Sequence, residues 1–297
     1  MKKPVVALLV TLVGVTFLPV SAWSQNPPAP QNTPSKDIEL NSVLMECTFK
    51  LEGQNAQGQD TMGTGFVMGR PILNTPDRAR YVLITAAHVL NDMVGEGMTL
   101  HLRRKLGENN WVRAPITIPI RANGQPLWTK HPDADVAVMY ISLPTAISLP
   151  ILTTDFLADD KAFSQFEIHP GDELECLGFP FGFAANDAGF PILRSGKIAS
   201  YPLLPTAVTK TFLFDFRVFK GNSGGPVYFV QINRYYGNSF RLGESIHFIA
   251  GLVSQEESLS QVMTGVYEQE VRQLQLGLAV VIHASLIRQA IEMLPSP

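Results

Sequence analysis

The apolar residues of the chain fall in short runs rich in β-branched and aromatic side chains. Gly, Pro, Asn and Asp separate these runs, and the punctuation predicts strands rather than helices. One series comprises Val43–Leu51, Gly63–Met68, Tyr81–Thr85, Met98–Arg103, Trp111–Ile118 and Val136–Ile141. A second comprises Glu173–Leu177, Leu193–Ile198, Phe212–Phe216, Pro226–Val230, Ile246–Val253 and Gly277–Ile282. A Leu/Pro-rich connection, Leu143 to Asp160, lies between them with few strand signals. Only at the end does the period change. Leu286, Ile287, Ala290, Ile291 and Leu294 recur at helical spacing and predict a terminal helix over 284–294 with one face inward. Six runs, a connector and six more predict an all-β fold of two antiparallel six-stranded barrels, the first over about 40–142 and the second over about 165–283. Alternating βαβ units are not expected.

The first residues follow a different pattern. Lys2 and Lys3 precede an apolar run from Val5 to Val20, broken only by Thr11, Gly14, Thr16 and Pro19, and small residues follow at Ser21, Ala22 and Ser24. This predicts a secretory signal peptide over 1–24, with cleavage after Ala22 or Ser24. The run is short for a membrane span and carries Pro19 near its end, so stable membrane insertion after cleavage is not expected. A periplasmic or secreted location follows. Residues 25–36 are rich in Pro, Asn and Gln, cannot bury a core, and read as a linker; the folded part is expected over 37–297.

Composition narrows the function classes. The 297 residues are 45% hydrophobic and 16% charged, with a formal net charge of −3, which excludes a disordered chain. No basic stripe points to nucleic acid, and Arg103-Arg104-Lys105 reads as a solvated strand end. The two cysteines, Cys47 and Cys176, lie in apolar runs and read as buried thiols rather than a bridge. The six histidines are scattered without metal-ligand spacing, so neither a metal nor an organic cofactor is expected.

The chemistry concentrates in Gly221-Asn222-Ser223-Gly224-Gly225-Pro226. A serine hydroxyl needs a base to take its proton and donors placed in advance for the oxyanion that follows. Glycine before the serine lets the backbone turn so that the amides of Gly221 and Ser223 face one point. The residues also satisfy G-x-S-x-G, the elbow of α/β-hydrolases. That motif needs a helix after the serine and an acid and then a histidine downstream. Val227-Tyr228-Phe229-Val230 favours a strand instead, and no aspartate follows Ser223. Upstream, Val82 to Thr85 is an apolar strand running into Ala86, Ala87 and His88, which suits a base held at a strand end. Asp133 and Asp135 both precede the strand Val136–Met139; Asp135 directly adjoins it, and Asp133 reads as a solvated loop residue.

The hexapeptide resembles the GDSGGP and GNSGGP signatures of trypsin-like serine peptidases. Thr85-Ala86-Ala87-His88-Val89 resembles the segment around their base, Asp135-Val136-Ala137-Val138 their carboxylate strand, and Gly63-Thr64-Gly65-Phe66 the strand that packs behind the site. Pro170–Pro180 and Ser195–Ser200 look like strands of HtrA-type bacterial members, whose PDZ domain is not expected here. The resemblance implies a trypsin-like fold and a serine endopeptidase acting on protein or peptide substrates. It implies a triad of His88, Asp135 and Ser223, with Gly221 and Ser223 as oxyanion donors. It also implies extended substrate along Gly251–Ser254, including Val253, with Ser254 bonded to the aspartate. Arg217 falls where digestive members floor the pocket for the residue before the scissile bond; it either favours acidic side chains there or points to solvent. Asn222 replaces the aspartate that binds a freed N-terminus, so activation beyond signal removal is not expected. A non-proteolytic binding protein on the same scaffold and an esterase are the rival readings. The oligomeric state is not legible.

Overall fold

The computed structural model describes residues 23–24, 39–72, 75–264 and 269–296. The expected signal peptide and linker lie outside the described residues, apart from Trp23–Ser24, which pairs antiparallel with Leu143–Pro144. Helix α1, Leu40–Cys47, comes first, with the Glu39 carboxylate accepting the Ser42 N–H at 3.0 Å as its cap. The expected strand Val43–Leu51 therefore starts late. Leu40, Leu44 and Cys47 are buried at helical spacing, and strand β1 begins only at Thr48 (Thr48–Gln54). There Phe49 and Leu51 turn inward while Lys50 and Glu52 stay half-exposed, the alternation that a half-buried sheet requires.

The remaining strands of the first half are β2 (Asp60–Ile72), β3 (Thr75–Thr85), β4 (Gly97–Gly107), β5 (Asn110–Pro119), β6 (Thr129–Lys130) and β7 (Ala137–Tyr140), with helix α2 (Ala87–Asp92) after β3. They form a seven-stranded antiparallel sheet in the order β5-β4-β1-β2-β3-β7-β6. In place of the expected closed barrel of six strands this sheet is open, and the two-residue β6 joins it by pairing with β7 at Ala137–Lys130 and Val138–Thr129. The connection carries helix α3 (Asp160–Gln165). The second half has β8 (Glu173–Gly178), β9 (Ile192–Ile198), β10 (Thr211–Asp215), β11 (Pro226–Tyr236), β12 (Ser239–Thr264) and β13 (Gln269–His283). These six strands close in the order β8-β9-β10-β13-β12-β11. The chain is mostly β, as its pattern predicts.

Two apolar clusters fill the halves. The second holds Phe212, Phe214, Phe216, Phe229 and Phe248. The first extends across the junction to take in Leu177, Tyr228, Ile249 and Leu252, together with the inward face of the terminal helix α4 (Ala284–Glu292). That helix follows the last strand of the second half yet packs on the first, and Arg70 Nη1 of β2 donates to Leu294 O at 3.0 Å just beyond its end. Cys47 and Cys176 are buried and unbridged, and burial pushes both thiols up to about 12, far from any reactive thiolate.

One expectation for the charged residues is overturned. Arg103 is only 1% exposed. Its guanidinium donates to Met45 O, Glu46 O and Thr48 O around the end of α1 and to Gly189 O at 2.8 Å, between the rings of Phe49 and Phe190. The carbonyls that a helix end leaves unpaired attract a cation there, and the flanking rings favour it further. Arg234, also buried, grips Asp172 through two bonds of 2.7 and 2.8 Å and takes Phe166 O and Glu167 O, which binds the connection onto β11. Removing one partner of such a pair strands a buried charge. Asp172→Ala is expected to cost about 3–5 kcal/mol of stability, measured by urea unfolding.

Candidate active site

Register brings the first two groups together. Ala137 of β7 stands opposite Thr85 of β3, and Ala87 N–H continues the ladder to Asp135 O at 3.2 Å. His88, three residues past the end of one pairing, thus meets Asp135, two residues before the other. The His88 N–H donates to Asp135 Oδ1 at 2.8 Å, and His88 Nδ1 lies 2.6 Å from Asp135 Oδ2. Ala86 and Ala87 are fully buried, which lets the helix start lie close against β7. From the other half, Ser254 Oγ donates to Asp135 Oδ2 at 2.7 Å. The carboxylate therefore receives three bonds.

The carboxylate contact on the imidazole fixes its chemistry. Burial by itself lowers the His88 pKa. The Asp135 hydrogen bond and charge, helped by Asp92, outweigh it and hold the imidazole above its ordinary value. Burial likewise raises Asp135, and the bonds and charge from His88, with the Ser254 hydroxyl, pull it below the ordinary carboxylate range. Both ends are partly open to water, with side chains 40% and 29% exposed. With Nδ1–H held by the carboxylate, Nε2 is left as the acceptor, the tautomer a general base needs.

The third candidate stands on the turn before β11. Gly221 and Gly224 have φ of +97° and +86°, left-handed values that a side chain resists. Space forbids one as well. A Cβ on Gly221 would meet Phe179 O at 2.2 Å, and one on Gly224 would meet Thr64 O at 2.1 Å. Ser223 between them is half-exposed and lines a cleft of about 770 Å³ together with His88, Asp135 and Ser254. Among the described residues no hydrogen bond joins His88 to Ser223, and the N–H groups of Gly221 and Ser223 have no protein acceptor. Asn222 is buried; its side-chain oxygen accepts the Phe219 N–H at 3.3 Å, so its place is filled without a charged partner.

The other expected substrate residues divide. Gly251 and Val253 are buried, with Val253 N–H spent on Gly225 O and Val253 O on Gly224 N–H. They support the nucleophile turn and offer no free edge, so the expected placing of substrate on them is corrected. The cleft wall lies one step on, at Ser254, Gln255 and Glu256, of which Gln255 is exposed. Arg217 does line the cleft, exposed, its guanidinium 5.4 Å from the centre of the Phe219 ring. Sequence reasoning missed Phe181, Val218, Phe219 and Val280 on the lining, since nothing in their local pattern distinguishes them from core. Asp133, read as a solvated loop residue, is exposed and reaches Lys210 at 3.2 Å on the cleft rim. A second hollow of about 470 Å³, lined by Asn55, Gln57, Asn91 and Asp92, meets the first at Lys220. Among the described residues no group of His, Cys, Asp and Glu could hold a metal ion. No helix among them is long and apolar enough to cross a membrane.

No family model matches the sequence, and no curated protein matches it. Among solved structures, a thermostable serine protease, AL20, from an extremophilic microorganism aligns with a TM-score of 0.44 at 12% identity, covering 83% of this chain and 95% of that one. Protease Anisep from Arthrobacter nicotinovorans aligns with a TM-score of 0.44 at 12% identity, covering 84% and 94%. Similarity at this level assigns neither fold nor chemistry to this chain.

The pair gives a pH signature. His88, with its raised pKa, contributes stability at acid pH that is lost as pH rises through its folded value. Asp135, with its lowered one, contributes stability at neutral pH that is lost as pH falls through its own. In NMR titration the His88 ring is expected to titrate above the ordinary value of about 6.5. Asp135→Asn should lower it markedly, because burial is then opposed only by the charge of Asp92.

Proposed function

We propose that the chain is a serine endopeptidase on a trypsin-like scaffold, working through an acyl-enzyme. The observation that carries this reading is the hydrogen-bonded chain Ser254–Asp135–His88, opening on the same cleft as a serine flanked by two unengaged amides. In this mechanism His88 Nε2 takes the Ser223 proton as Oγ attacks the scissile carbonyl. The N–H groups of Gly221 and Ser223 hold the oxyanion, and the imidazolium, steadied by Asp135, passes its proton to the leaving amine. A second nucleophile, water, then releases the acyl group by the same route. Substrate backbone would run along Ser254–Glu256 before the scissile bond, and the hollow beyond Lys220 would take the residues after it. The apparatus needs no cofactor. Export follows from the N-terminal pattern, and protein or peptide substrates outside the cytoplasm follow from export.

The missing His88–Ser223 bond favours one rival, a binding protein with an idle triad. In free enzymes that bond is often long and tightens with substrate, so the peptidase reading stands ahead. An activity-based fluorophosphonate probe separates them: Ser223 is expected to label, and Ser223→Ala is not. Turnover should rise with pH through a midpoint above about 6.5, because protonated His88 cannot accept the serine proton. Asp135→Asn is expected to lower kcat by about 10⁴. A wild-type protein that neither labels nor cleaves any member of a broad peptide library would end the enzymatic reading, and cleavage of activated esters alone would leave an esterase.

Selection by Arg217 is expected to be weak. An exposed guanidinium is screened by water and salt, and its charge counts for little against Asp133 and Glu256 on the same cleft. Arg217→Ala should change kcat/KM for peptides with an acidic residue before the scissile bond by less than about tenfold, read from the same library.

A further inference from the structure

Four successive carbonyls around the nucleophile are all engaged. Phe181 N–H donates to Lys220 O at 2.7 Å, and Thr64 Oγ1 to Gly221 O at 2.6 Å. Gly225 N–H donates to Asn222 O, and Thr64 N–H to Ser223 O, both at 2.9 Å. The peptide unit is planar and trans, so a carbonyl held on one side turns the next N–H to the other. Holding Lys220 O therefore aims the Gly221 N–H, and holding Asn222 O aims the Ser223 N–H. Gly225 belongs to the same turn and moves with it. Thr64 and Phe181 come from elsewhere, and they pin the two peptide planes that meet at Gly221. Asn222 N–H, bonded to Phe219 O at 2.9 Å, holds the second plane from within the loop, and Thr64 and Phe181 anchor φ at +97° to the rest of the molecule.

Thr64 is fully buried on β2, in the first half of the molecule. Its hydroxyl uses both capacities, donating to Gly221 O and accepting the Phe179 N–H at 3.2 Å. It thereby clips together the turn at 179–182 and the turn that carries Ser223. Thr64 O in turn accepts Thr85 Oγ1 at 2.7 Å, three residues before His88. Phe181 reaches Lys220 O only because its backbone is left-handed, at φ 53° and ψ 24°, a costly state for a bulky residue. Its ring lies on Phe219, centroids 5.0 Å apart, which helps hold the turn in place.

We propose that Thr64 is the positioning residue of the oxyanion donors, with the left-handed Phe181 as the second anchor. The hydroxyl holds the Gly221–Asn222 peptide plane and so keeps Gly221 in the left-handed turn whose N–H the Phe181–Lys220 bond aims at the cleft, and it never touches substrate itself. The proposal rests on the peptidase reading above. It also gives the first sheet two tasks at once, since the strand that sets the oxyanion donors is bonded to the strand that leads to the base.

The test uses the full chain with Thr64→Val, which keeps the shape and removes the hydroxyl, and Thr64→Ser, which keeps the hydroxyl. Removing an oxyanion donor outright costs about 10²–10³ in kcat, so a misaimed one should cost about 10–100-fold. Thr64→Val is expected to show that loss in kcat with KM within about threefold. The acid limb of the pH profile should stay in place, because His88 and Asp135 are untouched. Thr64→Ser should restore kcat to within about threefold of wild type. Phe181 supplies an independent arm. Phe181→Val, which resists positive φ, should lower kcat about tenfold, and more than Phe181→Gly, which accepts it freely and whose lost ring should raise KM. Thermal unfolding of each variant establishes that folded protein is compared. Wild-type kcat in Thr64→Val, failure of Thr64→Ser to rescue, or a displaced acid limb would overturn the positioning role while leaving the peptidase intact. A wild-type protein that neither labels nor cleaves would overturn both.

Discussion

The two halves meet backbone to backbone at the turn that carries Ser223, and that close approach governs the rest of the structure. Thr64 O and Phe179 O occupy the space where side chains on Gly224 and Gly221 would stand. A carbonyl pressed that close must be matched by donors, since an unpaired polar group away from water is costly. Thr85 Oγ1 donates to Thr64 O and Gly182 N–H to Phe179 O, while Thr64 N–H, Thr64 Oγ1 and Phe181 N–H take the neighbouring carbonyls of Ser223, Gly221 and Lys220. The apolar clusters on either side keep water from competing, and the first continues through Leu177, Tyr228 and Leu252 across the junction.

The same junction divides the candidate machinery between the halves. His88 follows one strand of the first sheet and Asp135 precedes its neighbour, and the register of those strands makes them neighbours. Ser254, on β12, reaches back across to the carboxylate. The imidazole is thus oriented by its own sheet, and the carboxylate that orients it is restrained by the other. Partial exposure of both side chains keeps a path for protons to solvent, while three hydrogen bonds keep Asp135 ionised. Arg103, Arg234 and the terminal helix act further out, tying α1, the connection and the chain end to the two sheets. None of them reaches the cleft.

Much of this was legible in the sequence because the residues concerned are local. The apolar runs marked nearly every long strand, since alternation records which face is buried whatever the partner. The terminal helix was legible because Leu286, Ile287, Ala290 and Ile291 share one face. The signature around Ser223 was legible because glycines at fixed positions state the backbone they require. Failures arose where two periods fit one stretch or where burial depends on distant chain. Val43–Cys47 is apolar enough for a strand, yet Leu40, Leu44 and Cys47 fall on one helical face. Arg103 sits in a basic triplet that looks solvated, and only the end of α1 and Gly189, far along the chain, explain its burial.

The sequence by itself therefore determined a mostly β chain, the positions of its long strands, the neighbourhood of each catalytic candidate and the glycines of the nucleophile turn, because each of these depends on residues within a few positions. Tertiary structure decided which carboxylate meets the imidazole, that Gly251 and Val253 are spent on support while Ser254–Glu256 face the cleft, and that a threonine hydroxyl on one sheet holds the turn of the other. These depend on which carbonyl lies beside which donor once two sheets have docked, and no local pattern records a contact between Thr64 and Gly221, separated by 157 positions along the chain.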